Sequence, residues 1–237
     1  MPSQHAVIIG GSSGIGLASA RQLLAAGLKV TITGRSARRL DEACQSLDGA
    51  TGIAMDAAAT ATLSETFAKI GEFDHLVLAF GSGKGLGPFA SVSVEDVRQS
   101  FAEKVYPQFA VAQAALPGLR KTGSIIFVSS VSAHGAMPGT AGISAANGAI
   151  ATLVPILAAE LRPLRVNGVS PGVIDTPWWD FLPAGQRAAV FAEYAGKTPV
   201  GRVGKPEDVA QAITFLILDN FMNGHVIVCD GGLRWAA

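Results

Sequence analysis

Near its start the chain reads Ala6-Val-Ile-Ile-Gly10-Gly11-Ser12-Ser13-Gly14-Ile15-Gly16, an apolar strand-like run, a glycine-rich turn and the beginning of a helical run over 17–26. Glycines in such a turn let the backbone bend tightly and approach a pyrophosphate, and the free N–H groups of a helix start attract its charge. The spacing Gly-x-x-x-Gly-x-Gly between a strand and a helix therefore predicts a dinucleotide site. A tight turn without a ligand is the alternative.

Strand and helix patterns alternate along the rest of the chain. Short β-branched runs predict strands over 6–10, 29–33, 51–55, 75–80, 124–129, 165–169 and 225–229. Segments rich in Ala and Leu predict helices over 14–26, 36–47, 60–70, 93–119, 141–161 and 206–219. The alternation predicts an α/β fold in a single domain over 1–237, with a parallel sheet between two helical layers. Because such sheets bind ligands at the carboxyl ends of their strands, we expect the site residues just after each strand.

The composition excludes several classes of protein. Of the 237 residues, 49% are hydrophobic and 15% are charged, and 18 basic residues balance 18 acidic ones. Intrinsic disorder needs a lower hydrophobicity, and nucleic-acid binding needs a basic excess, so neither is expected. The two cysteines, Cys44 and Cys229, form no motif spacing, so we expect neither a disulfide framework nor a metal site.

Signals for export or membrane insertion are not predicted. The first apolar run follows no Lys or Arg, unlike the start of a secretory signal. Residues 122–159 contain no Asp, Glu, Lys or Arg, but Gly, Ser, Pro, Asn and His interrupt them. A membrane-spanning helix needs about 20 mainly apolar residues in a row. We therefore expect a cytoplasmic protein without a membrane partner.

The residues after the second and third strands indicate which dinucleotide binds. The second strand ends in Thr33-Gly34-Arg35-Ser36. An acidic residue there would bind the adenosine ribose hydroxyls of NAD, whereas an Arg suits the 2′-phosphate of NADP. The sequence thus predicts NADP(H) in preference to NAD; a solvated charge near a helix start is the alternative for Arg35. Asp56, just past the third strand, suits the adenine amino group or, alternatively, the start of a helix.

Together these features resemble the short-chain dehydrogenase/reductase family over nearly the whole chain. Further segments similar to the family are Ser129-Ser130, Arg165-Val-Asn-Gly-Val-Ser-Pro-Gly172, Gly201-Arg-Val-Gly-Lys-Pro-Glu-Asp-Val-Ala210 and Asp230-Gly-Gly232. The resemblance implies a Rossmann-type, doubly wound sheet of about seven strands, an oxidoreductase activity and a homodimer or homotetramer. It implies that the cofactor is bound by Gly10, Ser12, Ser13, Gly14, Ile15, Arg35, Ser36, Asp56, Ala57, Gly81, Pro171, Gly172 and Thr176.

One motif of the family is missing. Family enzymes carry Tyr-x-x-x-Lys at a fixed distance after the catalytic serine, and this spacing from Ser130 reaches Ile143 and Asn147 instead. Neither of the two tyrosines in the chain is followed four residues later by a lysine. The sequence is therefore identified as an atypical member, without the usual proton donor and its lysine.

A second departure concerns the helix after the fourth strand, where the family usually has an Asn. Alignment backward from Leu116-Pro117 places Lys104 there, so Lys and Asn have exchanged positions, with Asn147 at the place of the family lysine. The ammonium would then enter the pocket from the opposite helix and bind the nicotinamide ribose, which adds Lys104 and Asn147 to the cofactor-binding set. Pro107 is expected to bend this helix near Lys104. The alternative is that Lys104 points to solvent, as most lysines do.

Three residues are predicted to carry the catalysis: Ser130, Lys104 and His134. Hydride transfer to a carbonyl leaves an alkoxide, which needs a proton donor. A lysine that is desolvated in an apolar pocket has a lowered pKa and donates near neutrality, while Ser130 orients the substrate oxygen. His134 titrates in a suitable range; alternatively it is a structural or merely exposed loop residue.

The segment 176–200 is predicted to be a substrate lid, because the family has a mobile lid in this region. Trp178, Trp179 and Phe181 indicate an apolar pocket or, alternatively, packing of the lid or a subunit contact. We expect an oxidoreductase that transfers a hydride between NADP(H) and a small carbonyl or alcohol substrate. A non-catalytic NADP(H)-binding sensor or scaffold is the alternative, since the usual acid is missing.

Overall fold

A single parallel sheet forms the centre of the molecule. The computed structural model describes residues 3–236, and its seven strands follow the order β3-β2-β1-β4-β5-β6-β7. The strands are β1 (His5–Ile9), β2 (Lys29–Gly34), β3 (Ala50–Ala54), β4 (Phe73–Leu78), β5 (Leu119–Val128), β6 (Arg165–Pro171) and β7 (Val226–Cys229). The predicted α/β fold, with one doubly wound parallel sheet of seven strands, is confirmed.

Helices cover both faces of the sheet. They are α1 (Gly14–Ala25), α2 (Ala37–Ser46), α3 (Leu63–Ile70), α4 (Val94–Ser100), α5 (Tyr106–Ala115), α6 (Ala141–Glu160), α7 (Ala184–Lys197) and α8 (Pro206–Leu218). One core contains the fully buried Phe73, Phe127 and Ile150 beneath α3, α5 and α6. The other contains Leu23 and Ile213 beneath α1, α2 and α8. Burial on both faces explains why the strands read as continuous apolar runs.

The strand order reverses at β1, and this reversal positions the site. β1 pairs in parallel with both β2 and β4, because the chain runs outward through β2 and β3 and then crosses back to β4. The connections that leave β1 and β4 therefore diverge to the two faces of the sheet. A crevice opens between them at the carboxyl ends of the strands, where ligands of such sheets bind.

Two strands begin earlier than predicted, at Phe73 in β4 and Leu119 in β5. These two residues are paired across the sheet. Charged residues next to them, Asp74 and Arg120, interrupt the apolar pattern that the prediction relied on. In the folded chain a guanidinium nitrogen of Arg120 lies 3.6 Å from Asp74 Oδ1, so the two side chains form an ion pair. Because each charge has a partner, both residues are compatible with the start of a strand.

The helix predicted over 93–119 ends at Ala115 and is not uniform. Between α4 and α5 the five residues Phe101–Val105 form a π turn, which holds more residues than an α-helical turn. The predicted bend at Pro107 stays a prediction, and the π turn itself was not predicted. Pro107 follows it in the first turn of α5 and, having no N–H, cannot donate to a carbonyl of the preceding turn.

Within the described residues, α6 is the one helix whose length and mean hydropathy of 1.6 would also suit a membrane span. Its buried face packs on β6 and on the short turn Val131–Ala133. The core helix of a soluble protein passes the same test of length and hydropathy, so this one helix is weak evidence for a membrane span.

Candidate active site

A cavity of about 830 Å³ opens at the carboxyl ends of the strands. Most of the residues predicted from the sequence share its wall: Gly10, Ser12, Ser13, Gly14, Ile15, Arg35, Asp56, Ala57, Gly81, Lys104, Ser130, Asn147, Pro171, Gly172 and Thr176. Two predicted residues, Ser36 and His134, lie outside this wall. The reversal of strand order therefore brings together segments that are up to 166 residues apart in the chain, from Gly10 to Thr176.

The turn after β1 has the shape that a diphosphate requires. Gly10 has a φ of +84°, and a Cβ at this position would lie 2.6 Å from the Ala79 carbonyl oxygen. A Cβ on Gly16 would overlap the Gly10 carbonyl oxygen, so both positions need glycine. At the start of α1, the Ser13 side chain caps no N–H group and the first turn holds no acidic residue. The N–H groups of this helix start are thus open to an anion.

Two arginines lie beside the end of β2. Arg35 follows the strand and Arg39 stands one helical turn later in α2; both are exposed and line the cavity. Arg38, between them, pairs instead with Glu42 at 2.6 Å. Ser36 is the N-cap of α2, and its Oγ accepts the Arg39 N–H at 3.4 Å. Sequence reasoning missed Arg39, because Arg35 precedes the helix and the two residues share no helical face in the sequence pattern.

Asp56 follows β3 and remains exposed at the edge of the cavity. Its Oδ1 accepts the Ala58 N–H at 3.0 Å, which stabilises the local turn. The neighbouring Met55 is buried and contributes an apolar patch to the same wall. This end of the cavity therefore combines an apolar surface with a carboxylate.

Lys104 lies in the π turn and is only 6% exposed. Its Nζ donates a hydrogen bond to the Ser129 carbonyl oxygen at 3.1 Å. Burial lowers the pKa of Lys104 from 10.5 to about 7, because no carboxylate of the described residues is close enough to stabilise the charge. Gly81 leaves room for this side chain, since a Cβ there would lie 3.2 Å from Nζ. Lys104 thus faces the cavity and not bulk solvent.

Asn147 reaches the same cavity from α6. Its Nδ2 donates to Ser132 Oγ at 3.2 Å and to the Ile143 carbonyl oxygen at 2.9 Å. Its Oδ1 is buried and has no hydrogen-bond partner among residues 3–236. An unsatisfied buried acceptor costs roughly 1–3 kcal/mol, so a ligand donor at this point would be favourable. Lys104 and Asn147 therefore present a donor and an acceptor to one space from two different helices.

The two other residues predicted for catalysis are placed differently. Ser130 begins the turn after β5, lines the cavity and accepts the Ser132 N–H at 3.4 Å. His134 Nε2 lies 2.9 Å from Ser170 Oγ, which in turn shares a short hydrogen bond with Ser129 Oγ. Partial burial lowers the pKa of His134. The His134 ring is thus hydrogen-bonded to β6 and does not line the cavity.

The segment 176–200 adds an aromatic wall to the cavity. Trp178, Trp179 and Phe181 form one cluster, with ring centroids 4.8, 5.3 and 6.1 Å apart. Trp178 Nε1 donates to the Ser82 carbonyl oxygen at 3.3 Å, which connects this cluster to the loop after β4. Sequence reasoning identified these rings as possible pocket residues, and all three line the cavity.

The same segment is held to the end of β6 by one arginine. Arg187 in α7 pairs with Asp175 at 2.6 Å and with Asp180 at 2.8 Å, and it also donates to the Thr176 carbonyl oxygen at 3.1 Å. These contacts fix the beginning of the segment while its tip contacts the loop after β4.

Among the wall residues that were not predicted are Glu103, Ser132 and Tyr194. Tyr194 belongs to α7, whose position brings it to the cavity. Glu103 directly precedes Lys104, and adjacent residues on a regular helix do not share a face. The π turn, which leaves no pattern in the sequence, places both in one wall.

Within residues 3–236, no group of three His, Cys, Asp or Glu side chains is arranged to hold a metal ion. Cys44 and Cys229 are free thiols, each partly buried.

Known proteins resemble this chain over almost its full length. A family model described as enoyl-(acyl carrier protein) reductase matches residues 10–234. The cis-4-hydroxycyclohexanecarboxylate dehydrogenase of Sinomonas cyclohexanicum is 32% identical over 241 residues, which cover 96% of this chain and 95% of that protein. The 2-(S)-hydroxypropyl-CoM dehydrogenase 3 of Xanthobacter autotrophicus is 33% identical and covers 95% of this chain and 94% of its own.

Solved structures give the same result. A small-chain dehydrogenase in complex with NADPH is 29% identical, with a TM-score of 0.84 and coverage of 98% of this chain and 99% of that one. A short-chain dehydrogenase/reductase from Brucella melitensis is 31% identical, with a TM-score of 0.87 and coverage of 97% and 96%.

Proposed function

Because the chain belongs to the short-chain dehydrogenase/reductase family of oxidoreductases, we propose that it transfers a hydride between NADP(H) and a small carbonyl or alcohol substrate, using an altered catalytic site. The observation that carries this proposal is the buried ammonium of Lys104 in the wall of the cavity, next to the carbonyl that precedes Ser130. Ile143 and Asn147 stand at the positions of the family tyrosine and lysine, and neither can replace them as an acid.

The cavity fits the phosphates of NADP(H). The glycine turn and the open start of α1 would hold the diphosphate, because they offer space and N–H donors without a competing side-chain cap. Arg35 and Arg39 would hold the 2′-phosphate, since neither pairs with a carboxylate of residues 3–236 and both line the cavity. Asp56 would accept from the adenine amino group. A preference for NADPH over NADH of about ten-fold or more is expected from such charge-assisted hydrogen bonds.

The other end of the cavity fits the nicotinamide half. Asn147 Oδ1, which has no partner among the described residues, would accept from a ribose hydroxyl, and Lys104 Nζ would donate to one. Pro171, Gly172 and Thr176 would hold the carboxamide, as the resemblance implies. The two side chains thus perform from exchanged helices what one lysine does in the family pattern.

Residues of this chain would donate the proton that the substrate oxygen needs during carbonyl reduction. The bound cofactor supplies a hydride from its nicotinamide ring to the carbonyl carbon. Ser130 Oγ donates a hydrogen bond to the substrate oxygen, and Lys104 Nζ gives a proton to this oxygen as negative charge develops on it. With its pKa at about 7, Lys104 exchanges protons near neutrality, and its neutral amine accepts the proton in the reverse direction.

Cofactor titrations test the first half of the proposal. Calorimetry with NADPH and NADH should show tighter binding of NADPH, and an Arg35→Ala variant should remove most of the difference. Equal affinities for the two cofactors in the wild-type protein would refute the role of Arg35.

Turnover tests the second half. A panel of small ketones and secondary alcohols should yield a substrate, and Lys104→Met should lower its rate by about 10²–10⁴-fold. Ser130→Ala should lower it too, whereas Lys121→Met, at an exposed site on β5, should not. An unchanged rate in Lys104→Met would refute the mechanism. Tight NADPH binding without turnover of any compound would instead support the non-catalytic sensor or scaffold.

We also propose an oligomeric state and a cellular location for this protein. A homodimer or homotetramer is supported by exposed apolar side chains on adjacent helices, Tyr106 (63%) and Phe109 (43%) of α5 and Ile156 (53%) of α6. Light scattering on the purified chain tests this, and a monomer at micromolar concentration would refute it. A cytoplasmic location is proposed from the sequence and is tested by cell fractionation. The segment 176–200 is proposed to act as the substrate lid.

A further inference from the structure

Glu103 places a carboxylate at the substrate end of the cavity. It lies in the π turn beside Lys104, and its Oε2 accepts a hydrogen bond from Ser82 Oγ at 2.6 Å. The Ser82 carbonyl oxygen accepts from Trp178 Nε1, so this carboxylate lies near the aromatic cluster of the segment 176–200. Glu103 is exposed. Among residues 3–236, no Lys, Arg or His forms an ion pair with it, and Oε1 has no hydrogen-bond partner. One charged oxygen of Glu103 is therefore uncommitted.

Aromatic rings make up much of the remaining wall at this end, and among the described residues Lys104 is its one unpaired cation. Trp178, Trp179, Phe181 and Tyr194 all line the cavity. The basic residues of the segment 176–200 are engaged elsewhere in the described structure, Arg187 with two carboxylates and Lys197 with Glu193 at 2.5 Å. A substrate anion would thus meet a carboxylate and no counter-charge except Lys104, which the mechanism uses at the reacting oxygen.

We propose that the cavity selects carbonyl or alcohol substrates that have an apolar, aromatic-sized body and carry a protonated amine directed at Glu103. An ammonium group gains from a carboxylate and from the faces of aromatic rings, and both are present here. Glu103 is then a specificity-determining residue. This inference rests on the proposed function, because it assigns a substrate class to the same site.

Binding of unreactive ternary ligands tests the inference without turnover. Alcohols cannot react with an enzyme that already holds the reduced cofactor, so calorimetry on the NADPH-loaded protein measures recognition alone. The probes are three methyl phenyl carbinols whose para substituent is aminomethyl, ethyl or carboxymethyl. Titration of NADPH into the free protein comes first; a failure to bind NADPH would overturn the proposed function at a separate step.

The aminomethyl carbinol should bind about two- to five-fold more tightly than the ethyl one, because Glu103 is exposed, and the carboxymethyl carbinol should bind weakest. Glu103→Gln keeps an acceptor for Ser82 and should equalise the aminomethyl and ethyl compounds, with NADPH binding unchanged as the check on folding. Glu95→Gln, an exposed carboxylate of α4 outside the cavity, should retain the preference of the wild-type protein.

Three results would overturn the inference while leaving the proposed function intact. They are equal or undetectable binding of the aminomethyl carbinol, an amine preference that survives in Glu103→Gln, and tightest binding of the carboxymethyl carbinol. The last result would identify Lys104 as the anchor for a substrate anion.

Discussion

Replacing Lys104 by methionine should raise the free energy of unfolding at neutral pH, although the same change is expected to lower the turnover rate. Methionine keeps the length of the side chain and its apolar packing but removes the charge that burial disfavours. The pKa of Lys104 falls from 10.5 to about 7 on folding. At roughly 1.4 kcal/mol for each ten-fold change in proton affinity, the charged form costs the native state at most about 5 kcal/mol.

The pH dependence of this cost has a definite direction. Between pH 7 and 10.5 the unfolded chain binds the proton that the native chain has lost, so the free energy of unfolding of the wild-type protein rises with pH. Below pH 7 both states are protonated and the full cost is present. Above pH 10.5 both are neutral and the cost disappears. The advantage of Lys104→Met should therefore shrink as the pH rises through this window.

Urea unfolding at pH 7.5 and 9 measures the effect. The difference in free energy of unfolding between Lys104→Met and the wild-type protein should fall by about 2 kcal/mol between these two pH values. Lys121→Met, at an exposed position, provides the control for general effects of pH and should show no such change. A difference that stays constant, or grows, from pH 7.5 to 9 would refute the burial of an unpaired ammonium.

Three further predictions concern cofactor affinity, the stability of glycine variants and the pH dependence of carbonyl reduction. Arg39→Ala should weaken NADPH binding about ten-fold and leave NADH unchanged, while Arg38→Ala should change neither; equal losses for both cofactors in calorimetry would contradict this. Gly10→Ala should lower the free energy of unfolding by more than about 2 kcal/mol, because φ is positive and the added Cβ meets backbone. Gly27→Ala, which has open space at its Cβ, should lower it by about 1 kcal/mol in the same urea assay. The rate of carbonyl reduction should fall as the pH rises through about 7, where Lys104 loses its proton; a rate that rises over this range would exclude Lys104 as the donor.

The fold was predictable because its signals are local and repeated. The glycine turn after β1 and the regular alternation of strands and helices are sufficient to indicate a doubly wound sheet. The errors arose where tertiary pairing overrides local polarity, at Asp74 and Arg120, whose charges neutralise each other at the start of β4 and β5. The sequence around each residue does not indicate that the two side chains will pair.

The site was predictable only in part. Residues that follow strands, such as Arg35 and Ser130, reach the cavity because the sheet directs all strand ends to one edge. Glu103 and Tyr194 depend instead on the shape of a helix and the placement of a distant segment, which local patterns do not encode. His134 meets the chemical criterion for catalysis, but it does not line the cavity, and its Nε2 lies 2.9 Å from Ser170 Oγ.

Because a π turn joins α4 to α5, the number of residues in this continuous helix decides which side chains face the cavity, as much as their types do. Each residue of an α-helix advances the direction of its side chain by about 100°. Deleting any one residue within Phe101–Val105 would restore a regular helix and rotate everything on its amino-terminal side relative to α5. A relative with the same residue types but one position fewer would then offer the cavity different functional groups. Chains of this kind should accordingly be grouped by helix register before their active-site residues are compared column by column.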